Sequence, residues 1–503
     1  MATECAAVDK LLHYTSMKRL VVLMALAVSA FGQAPQLSPS VRAYVKFDQP
    51  KIALTNVRVI DGTGAAARDN QMIMIQNGKI VSVSGQPFDQ FLSADTKVID
   101  LSGYTVMPGI VGMHDHMFYP TGGAPVYAEL AYSGPRLYLG AGVTTIRTTG
   151  SLEPYADLQL KKQIDSGRAV GPKMFVTGPY LEGAGAYTVQ MHELKDADDA
   201  RRTVAYWADE GVNNYKAYMN ITRAELSAAI AEAHKRGLKV TGHLCSIGFR
   251  EAAALGIDDL EHGLLVDTEF TAGKQPDICP GQRQGQDAVL KLDMNGPELK
   301  QTISELVAHH VAVTSTLPVF ETFVPNRPPF FTSARPSPTG FPAPYMTRVL
   351  DSMAEEPRRA YLTGRAQIGA QQSSNYPELF KREMQFERMF VQAGGLLIAG
   401  LDPTGGGGVV AGYGDWRGIE LLVEAGFTQL EAIKIATFNG AQYLGDQSIG
   451  SIAPGKAADL IVVKGDPSTN ISDIEKTELV FKDGIGYDSQ KLLDAAKGRV
   501  GLN

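Results

Sequence analysis

Short apolar runs alternate with longer amphipathic stretches between residues 108 and 440, and this alternation constrains the fold more than any other feature. A short apolar run bounded by Gly or Pro is typical of a buried strand, and a longer amphipathic stretch is typical of a helix. Strands that alternate with helices pair in parallel, because each helix returns the chain to the edge where the next strand starts. Eight such runs predict an α/β fold built on a closed (β/α)8 TIM barrel. The predicted strands are the run that ends at His114-Asp-His116 and the segments 143–147, 173–177, 213–218, 239–243, 258–261, 310–316 and 396–401.

One of the crossover helices has a clear start and stop signal. Thr222 and Glu225 have the spacing of a capping box, in which the two side chains satisfy amides of the first helical turn. Gly237 supplies a stop signal just beyond His234. We therefore predict a helix that opens at Thr222 and runs through His234.

The two ends of the chain share a residue pattern that differs from that of the middle. Residues 51–107 alternate in the manner of short strands, and the same pattern returns near the C-terminus. Asn77-Gly78 is a strong hairpin signal, because both residues tolerate the positive φ of a tight turn. We predict a small β-sandwich domain built from both termini, 41–107 plus 441–503, beside a catalytic barrel domain at 108–440.

Composition excludes several classes of partner. The 503 residues are 44% hydrophobic and 20% charged, which is ordinary for a globular protein with a large core. The net charge of −7 argues against a nucleic-acid or anionic-membrane partner, since neither would meet a basic surface. We expect a small-molecule substrate, and we expect the protein to form a homo-oligomer.

The N-terminus has the pattern of a targeting segment. A Lys-Arg pair precedes an apolar stretch at 20–31 that is too short to span a bilayer as a stable helix, and small residues follow. We predict that 1–34 form an N-terminal extension and signal peptide, with Met17 as the natural start. The mature protein is then exported, to a bacterial periplasm or outside the cell, with no stable membrane anchor. A buried N-terminal helix is the alternative.

Export bears on the cysteines. Cys5 would leave with the signal peptide, whereas Cys245 and Cys279 would remain in an oxidising compartment. A disulfide between these two is one interpretation. Two free thiols, or a role for Cys245 as a metal ligand, are the alternatives.

Polar residues close several of the predicted strands. His114 and His116 are two apart on a strand, so their imidazoles point to one face and can reach one ion, although a packed pair is equally consistent with that spacing alone. In a parallel barrel, strand ends meet at one rim. Four imidazoles, one carboxylate and one lysine directed at one point favour a metal site. The other four residues of this set are Lys216, His243, His262 and Asp402.

These six residues closely resemble the metal-binding pattern of the amidohydrolase superfamily. Two further segments resemble it as well, Asp61-Gly-Thr-Gly near the N-terminus and the Gly- and Ala-rich run 450–460 near the C-terminus. Within the superfamily the chain is similar to the imidazolonepropionase-related branch, which includes prolidase-like dipeptidases and ochratoxin-type amidases. The resemblance implies the barrel fold and covers nearly all of the chain after the signal peptide.

The resemblance also implies roles for the six residues. His114, His116 and Asp402 would hold one divalent ion, and His243 and His262 a second. Lys216 would be carboxylated by CO2, and its carbamate would bridge the two ions. A nearby cation depresses the pKa of a lysine, and carbamate formation needs the neutral amine. Oxygen and nitrogen ligands suit zinc, which we expect here, and also manganese or cobalt.

The implied reaction is hydrolysis of an amide or peptide C–N bond, in a dipeptide or an N-acyl amino acid-like substrate. A metal-bridging hydroxide would attack the carbonyl, with Asp402 as general base and then general acid. A lactone or ester hydrolase with the same two-metal site is the alternative, since hydroxide attacks any polarised carbonyl. A binding protein that has kept the fold is a third possibility. A mononuclear deaminase is disfavoured because it would not use Lys216.

Substrate contacts are predicted at three positions. Tyr218 lies two residues beyond Lys216, so it faces the same side and could bind a substrate carbonyl or carboxylate; a packed rim tyrosine is the alternative. Prolidase-like relatives often carry Gly-Gly-His after the third strand, where this chain has Gly185-Ala-Tyr187, with His192 five residues later. We therefore add Tyr187 and His192 as candidate substrate contacts.

Arg147 and two long segments complete the candidates. Arg147 could clamp a substrate carboxylate, but a structural ion pair is the favoured interpretation. The segments 267–292 and 318–344 are too long for plain crossovers and show little periodicity. Loops that follow barrel strands lie at the active-site face, so we predict lids or pocket walls, with a surface excursion or subunit contact as the alternative.

Overall fold

The computed structural model describes residues 36–85, 92–121, 126–330, 344–371 and 373–502. The predicted signal peptide at 1–34 lies outside the described residues, as does the part 331–343 of the predicted wall segment. None of the helices within the described ranges is both long and apolar enough to cross a membrane.

The described residues form a barrel sheet, a mixed sheet and a short hairpin, surrounded by helices. In chain order the strands are β1 (Val45–Phe47), β2 (Lys51–Val59), β3 (Arg68–Gln76), β4 (Lys79–Gly85), β5 (Lys97–Asp100), β6 (Tyr104–Pro108), β7 (Ile110–Asp115), β8 (Phe118–Pro120), β9 (Tyr127–Glu129), β10 (Val143–Thr148), β11 (Lys173–Leu181), β12 (Asn214–Ala217), β13 (Lys239–Gly242), β14 (Asp259–Glu261), β15 (Ala312–Ser315), β16 (Leu397–Ala399), β17 (Leu460–Lys464), β18 (Thr477–Lys482) and β19 (Ile485–Asp488). The α-helices span Pro39–Arg42, Ser133–Gly140, Pro154–Asp165, Ala197–Glu210, Arg223–Lys235, Phe249–Leu255, Gln282–Lys291, Pro297–Ala308, Leu317–Glu321, Pro344–Ser352, Glu355–Gly369, Tyr376–Gln392, Tyr413–Glu424, Gln429–Lys434, Gly440–Leu444 and Ser489–Ala495.

The barrel consists of β7 and β10 to β16, and its spatial order follows the order of the chain. Every neighbouring pair in this sheet is parallel. The sheet closes beyond β16, where the amides of Leu401 and Asp402 donate to the carbonyl oxygen of His114 at 3.3 and 3.0 Å. The last strand therefore returns to the first, and the predicted (β/α)8 barrel is confirmed.

The barrel strands fall within or overlap the predicted segments, with one informative difference. β11 continues to Leu181, four residues past its predicted end, because Tyr180 and Leu181 pair with Lys216 and Ala217 of β12. The extra residues carry Tyr180 to the rim of the barrel.

The capping-box prediction is confirmed. The helix Arg223–Lys235 follows Thr222, whose side chain accepts from the amide of Glu225, and the Glu225 carboxylate accepts in return from the amide of Thr222. This cap fixes where the chain leaves the rim after β12.

The second sheet joins both ends of the chain in the order β1-β19-β18-β17-β6-β2-β3-β4, with β5 on β2. β17 from the C-terminal part pairs antiparallel with β6 from the N-terminal part, so that Val462 faces Val106. Both halves contribute to one apolar cluster, which includes Ile52, Leu54 and Leu460. The expected sandwich is thus one continuous sheet whose halves share a core.

The first long segment, 267–292, contains the helix Gln282–Lys291, which the weak periodicity did not predict. Ahead of this helix, Cys279 is bonded to Cys245, with 4.8 Å between their Cα atoms. The disulfide interpretation is confirmed, and Cys245 is therefore not a free metal ligand. The bond fastens the segment to the chain just beyond β13.

Candidate active site

Six polar side chains meet at the carboxyl-terminal rim of the barrel, as the sequence predicts. Lys216 is the penultimate residue of β12, and His243 and His262 directly follow β13 and β14. His116 lies just beyond β7 and Asp402 just beyond β16. Because parallel strands end at one rim, residues far apart in the chain become neighbours.

The first two histidines are held by hydrogen bonds at Nδ1. His114 Nδ1 lies 2.6 Å from Oε2 of Glu261, and both side chains are fully buried. His116 Nδ1 donates to the carbonyl oxygen of Gly150 at 3.1 Å. With Nδ1 engaged, each ring presents Nε2 to the centre of the site, which is the arrangement that metal-ligating histidines adopt.

Asp402 lies at the centre of this group. Its carboxylate oxygens are 3.6 Å from His114 Nε2, 3.8 Å from His116 Nε2 and 3.7 Å from His262 Nε2. Thr404 donates to the carboxylate at 2.6 Å, so one oxygen is fixed in direction. Burial raises the pKa of Asp402, while the nearby Lys216 lowers it. A carboxylate with a raised pKa is better suited to accept a proton.

Two of these residues have unusual backbone conformations. His262 has a φ of +73° and Asp402 a φ of +51°, in the left-handed region that residues other than Gly seldom adopt. Such outliers persist where the surrounding structure holds a side chain in a required direction. Here the left-handed turn aims both side chains at the same point.

A metal ion fits this donor set. The ligand atoms of His114, His262 and Asp402 lie within 4.8 Å of one another, and all three residues are buried. His262 Nδ1 is 2.7 Å from the Thr316 hydroxyl, but its buried Nε2 has no hydrogen-bond partner among the described residues. A buried nitrogen without a partner is costly, and a cation would satisfy it.

The histidines have the protonation state that a ligand needs. Burial and the charge of Lys216 lower the pKa of His243 to about 3. Burial likewise lowers the pKa values of His114, His116 and His262 well below the ordinary range. Neutral imidazoles bind metals, whereas protonated ones do not.

Lys216 lies within this cluster. Its Nζ is 3.1 Å from His114 Nε2, and the residue is 1% exposed. Burial lowers the pKa of Lys216 to about 8, against the opposing effect of Glu261 and Asp402. A sizeable fraction of the amine is then neutral near pH 8, which is the form that reacts with CO2.

A buried charge network beneath the rim contains the structural ion pair favoured for Arg147, but its acidic partners were not predicted from the sequence. Arg147 donates to Asp259 and Glu261 at 2.8 Å each, and all three side chains are fully buried. Thr241 also donates to Glu261 at 2.5 Å, so that Glu261 is fixed while its other oxygen holds His114. The spacing of Asp259 and Glu261 was the available signal, because acidic residues two apart on an apolar strand share a face.

This network decides between the two interpretations of Arg147. The guanidinium lies inside the barrel and forms ion pairs with strand residues, so Arg147 is structural. It does not line the cavity above the rim and is not positioned to clamp a substrate carboxylate.

The predicted substrate contacts differ in position. Tyr218 lines the cavity, with its ring centroid 5.0 Å from that of His243, and Tyr187 lines the outer part and is 50% exposed. His192 is not brought to the cavity: its Nε2 lies 3.3 Å from Asp199 and its side chain is 52% exposed. The helix Ala197–Glu210 offers that carboxylate at its first turn, which turns the imidazole outward.

A cavity of about 270 Å³ opens directly above the rim. Both predicted wall segments contribute to it: Thr268 and Gln282 come from the first, and Phe320 and Phe323 from the second. These described parts therefore act as walls of the cavity. A small molecule in this cavity would lie within reach of five of the six rim side chains, because His114 is the one that does not line it.

Comparison with known proteins agrees with this geometry. The sequence pattern of the amidohydrolase family matches residues 105–273 and 392–485, which make up more than half of the chain and include all six rim residues. The chain belongs to the amidohydrolase family. Proteins of this family generally bind metals, in agreement with the buried histidine and aspartate cluster.

Individual relatives are more distant. A dihydroorotase from Syntrophus aciditrophicus (strain SB) is 33% identical over 108 residues, which are 21% of this chain and 24% of that protein. The matches to three curated dihydroorotases span only 23% to 49% of those proteins' lengths.

Solved structures resemble the chain over most of its length. Bottromycin amidohydrolase has a TM-score of 0.67 and 20% identity, and the match covers 92% of this chain and 95% of that one. A Xaa-Pro dipeptidase with bound methionine in the active site has a TM-score of 0.61 and 21% identity, covering 87% of this chain and 100% of that one. At these identities the likeness shows the shared fold.

Proposed function

We propose that this protein is a metal-dependent hydrolase that cleaves amide or peptide C–N bonds. The observation that carries the proposal is the buried cluster of His114, His262 and Asp402, in which His262 Nε2 has no hydrogen-bond partner within the described part of the chain. Family membership and the amidase and peptidase names of the structural neighbours support the same reaction class. The expected dipeptide or N-acyl amino acid-like substrate remains part of the proposal.

The rim residues would divide between two ions, which we expect to be zinc. His114, His116 and Asp402 would hold one ion, and His243 and His262 the other. Lys216, as a carbamate, would supply anionic oxygen ligands. Bound divalent ions supply Lewis acidity, which lowers the pKa of water and polarises a carbonyl group.

The protein's own residues handle the proton. Asp402 is placed to accept a proton from the attacking water and to pass it to the departing nitrogen, as general base and then general acid. Its raised pKa and the fixed hydrogen bond from Thr404 suit both steps. Tyr218, beside His243, is placed to hydrogen-bond a substrate carbonyl.

We also propose that the mature protein works outside the cytoplasm, in a periplasm or secreted, and as a homo-oligomer. The apolar stretch at 20–31 supports export, and so does the disulfide between Cys245 and Cys279, since such bonds persist in oxidising compartments. Fractionation of the producing cells and light scattering of the purified protein test these two points.

The reaction class is tested with metal-loaded protein and matched substrate panels. We expect hydrolysis of N-acyl amino acid and dipeptide amides that stops on chelation and returns when zinc is added. Activity confined to lactones or esters would favour the alternative hydrolase, and hydrolysis unaffected by chelation would contradict the metal requirement.

A further inference from the structure

The charged and ionisable side chains of the cavity, tyrosines aside, are concentrated at the rim. Among the described residues that line it, the groups that carry charge or bind metal are His116, Lys216, His243, His262 and Asp402, and all five belong to the rim cluster. The rest of the described lining contains no Arg, Lys, Asp or Glu. Its polar side chains are tyrosines, threonines and Gln282.

Such a wall treats charged and uncharged substrates differently. A carboxylate that enters the cavity loses hydration, and along the described lining beyond the rim it finds no cationic side chain to pair with. Arg147, the nearby candidate, is engaged by Asp259 and Glu261 inside the barrel. An uncharged amide or aromatic group does not incur this cost.

Aromatic rings lead from the rim to the cavity mouth on one side. Phe118 stacks on His116 with 4.4 Å between ring centroids, and Tyr127 follows Phe118 at 5.2 Å. Tyr187 then lies at the mouth, where the Tyr127 hydroxyl donates to the Tyr187 hydroxyl at 3.2 Å. Tyr218 and its neighbour Tyr180, at 4.9 Å, form the adjoining wall.

Two phenylalanines also line the cavity. Phe320 lies 5.9 Å from the His262 ring, and Phe323 is a further residue of the lining. These two residues fall within 274–391, the segment between the two stretches that match the family pattern. Aromatic rings that line a cavity favour an aromatic ligand, which gains both apolar burial and ring contacts.

The tyrosine hydroxyls do not add charge to this wall. Tyr180 and Tyr218 line the cavity, and a tyrosine side chain is an uncharged phenol near neutral pH. They can donate or accept hydrogen bonds with an uncharged polar group, which gives orientation without selecting for an ion.

We propose that the cavity selects substrates in which an uncharged, bulky aromatic group flanks the scissile amide, and that it disfavours a free carboxylate beside that bond. This inference rests on the proposed function, since it names the substrate class of the same site. Within the proposed amide substrates, it favours aromatic compounds whose carboxyl group is blocked, and it narrows the proposed function by making dipeptides and N-acyl amino acids with a free carboxylate poorer substrates.

Three substrates test the proposal: N-benzoyl-phenylalanine amide, its free acid, and N-acetyl-alanine amide. We expect kcat/KM of the metal-loaded enzyme for the first to exceed that for each of the other two by about tenfold or more. Mass spectrometry of the products identifies the bond that is cleaved. Equal or faster turnover of the free acid, or of the acetyl-alanine amide, would overturn the proposal.

A binding measurement separates this proposal from the proposed function. Calorimetric titration of the Asp402→Asn variant with the same three compounds should give the same order of dissociation constants. If the wild-type enzyme cleaves none of the amides, the reaction class is wrong, while the order of binding still decides the selectivity. Tighter binding of the free acid than of its amide would refute the selectivity.

A wall variant provides the second arm. Phe323→Ala should reduce the preference for the benzoyl-phenylalanine amide over the acetyl-alanine amide by several-fold. Tyr155→Ala is the matched control, because Tyr155 is an aromatic residue 47% exposed on an outer helix. An unchanged preference in folded Phe323→Ala, or an equal change in the control, would count against the aromatic wall. The substrate comparison on the wild type stands if the variant does not fold.

Discussion

The metal cluster and the cavity wall lie next to each other but are built in different ways. The cluster residues stand on or directly after barrel strands, so closure of the barrel fixes their spacing. Apart from Tyr180 on β11, the wall residues stand outside the barrel strands, on segments such as 267–292, whose positions depend on packing and on the Cys245–Cys279 bond. Under the two proposals, the barrel fixes the reacting groups, and the segments around the rim select the substrate.

The largest expected effect is the loss of kcat on substitution of Asp402, which belongs to the metal cluster and not to the cavity wall. Asp402→Asn removes the proton acceptor, so we expect kcat to fall about 10²–10⁴-fold for every substrate alike. The fold should be retained, since the barrel-closing hydrogen bond runs from the backbone N–H of Asp402 to the carbonyl oxygen of His114 and does not involve the Asp402 side chain. Steady-state kinetics and circular dichroism check this. Near-normal turnover, or a loss for only some substrates, would contradict the role of Asp402.

Lys216 gives a pH-dependent test of the cluster. Carbamate formation needs the neutral amine, and the pKa of Lys216 is about 8. At a fixed concentration of dissolved CO2, the initial rate of reactivation of metal- and CO2-depleted enzyme by zinc should therefore rise about tenfold per pH unit below 8 and level off above it. Lys216→Ala is the control and should show no bicarbonate dependence. A pH-independent rate in the wild type would argue against the carbamate.

Glu261 tests whether the network beneath the rim supports the cluster. Glu261→Gln weakens the hydrogen bond to His114 Nδ1 and removes a charge beside Arg147, so metal affinity should fall about 10- to 100-fold. Competition with a fluorescent zinc chelator measures the change. The relative preference among substrates should stay constant; unchanged metal affinity would show that Glu261 serves the barrel interior alone.

Removal of the disulfide tests whether this bond holds the cavity wall in position. The bond joins residues 34 apart in sequence, and its loss in Cys245→Ser/Cys279→Ser should lower the free energy of unfolding by about 3–4 kcal/mol. We expect KM to rise more than kcat falls, because the wall loosens while the cluster stays. Chemical denaturation checks the stability, and reductant should alter the wild type but not the variant. A dominant loss of kcat would mean that the bond positions the cluster instead.

The smallest effect is expected at His192. Since this side chain pairs with Asp199 away from the cavity, His192→Ala should leave kcat and KM within about twofold of wild type. Tyr187→Ala is the comparison variant. Because Tyr187 lines the cavity mouth, its replacement should raise KM. A marked rise in KM for His192→Ala would restore His192 as a substrate contact.

The parts of the site that could be predicted share one physical property. The rim ligands end apolar strands, and strand period and barrel closure then determine where they meet. Glu261 was not predicted as a site residue, because its role depends on a contact with His114, which lies 147 residues away in the chain. The structure does not bring His192 to the cavity, because its side chain pairs with the nearby carboxylate of Asp199, and no sequence periodicity reports that contact.

In the fold as well, elements with local sequence signals were predicted, and an element that depends on tertiary contacts was not. The barrel strands and the capped helix at Arg223–Lys235 follow from local signals, namely apolar runs and a capping box. The helix Gln282–Lys291 did not, because its first six residues are polar or Gly and its apolar residues are confined to 288–290, where Val289 is buried in the main core.

The most direct test of the central claim is a crystal structure of the purified, metal-supplemented mature protein, with anomalous scattering recorded at the zinc edge. The account predicts two anomalous peaks among the six rim side chains and electron density that extends beyond Lys216 Nζ. The absence of anomalous density in that cluster, or an unmodified Lys216 beside a fully occupied site, would contradict it.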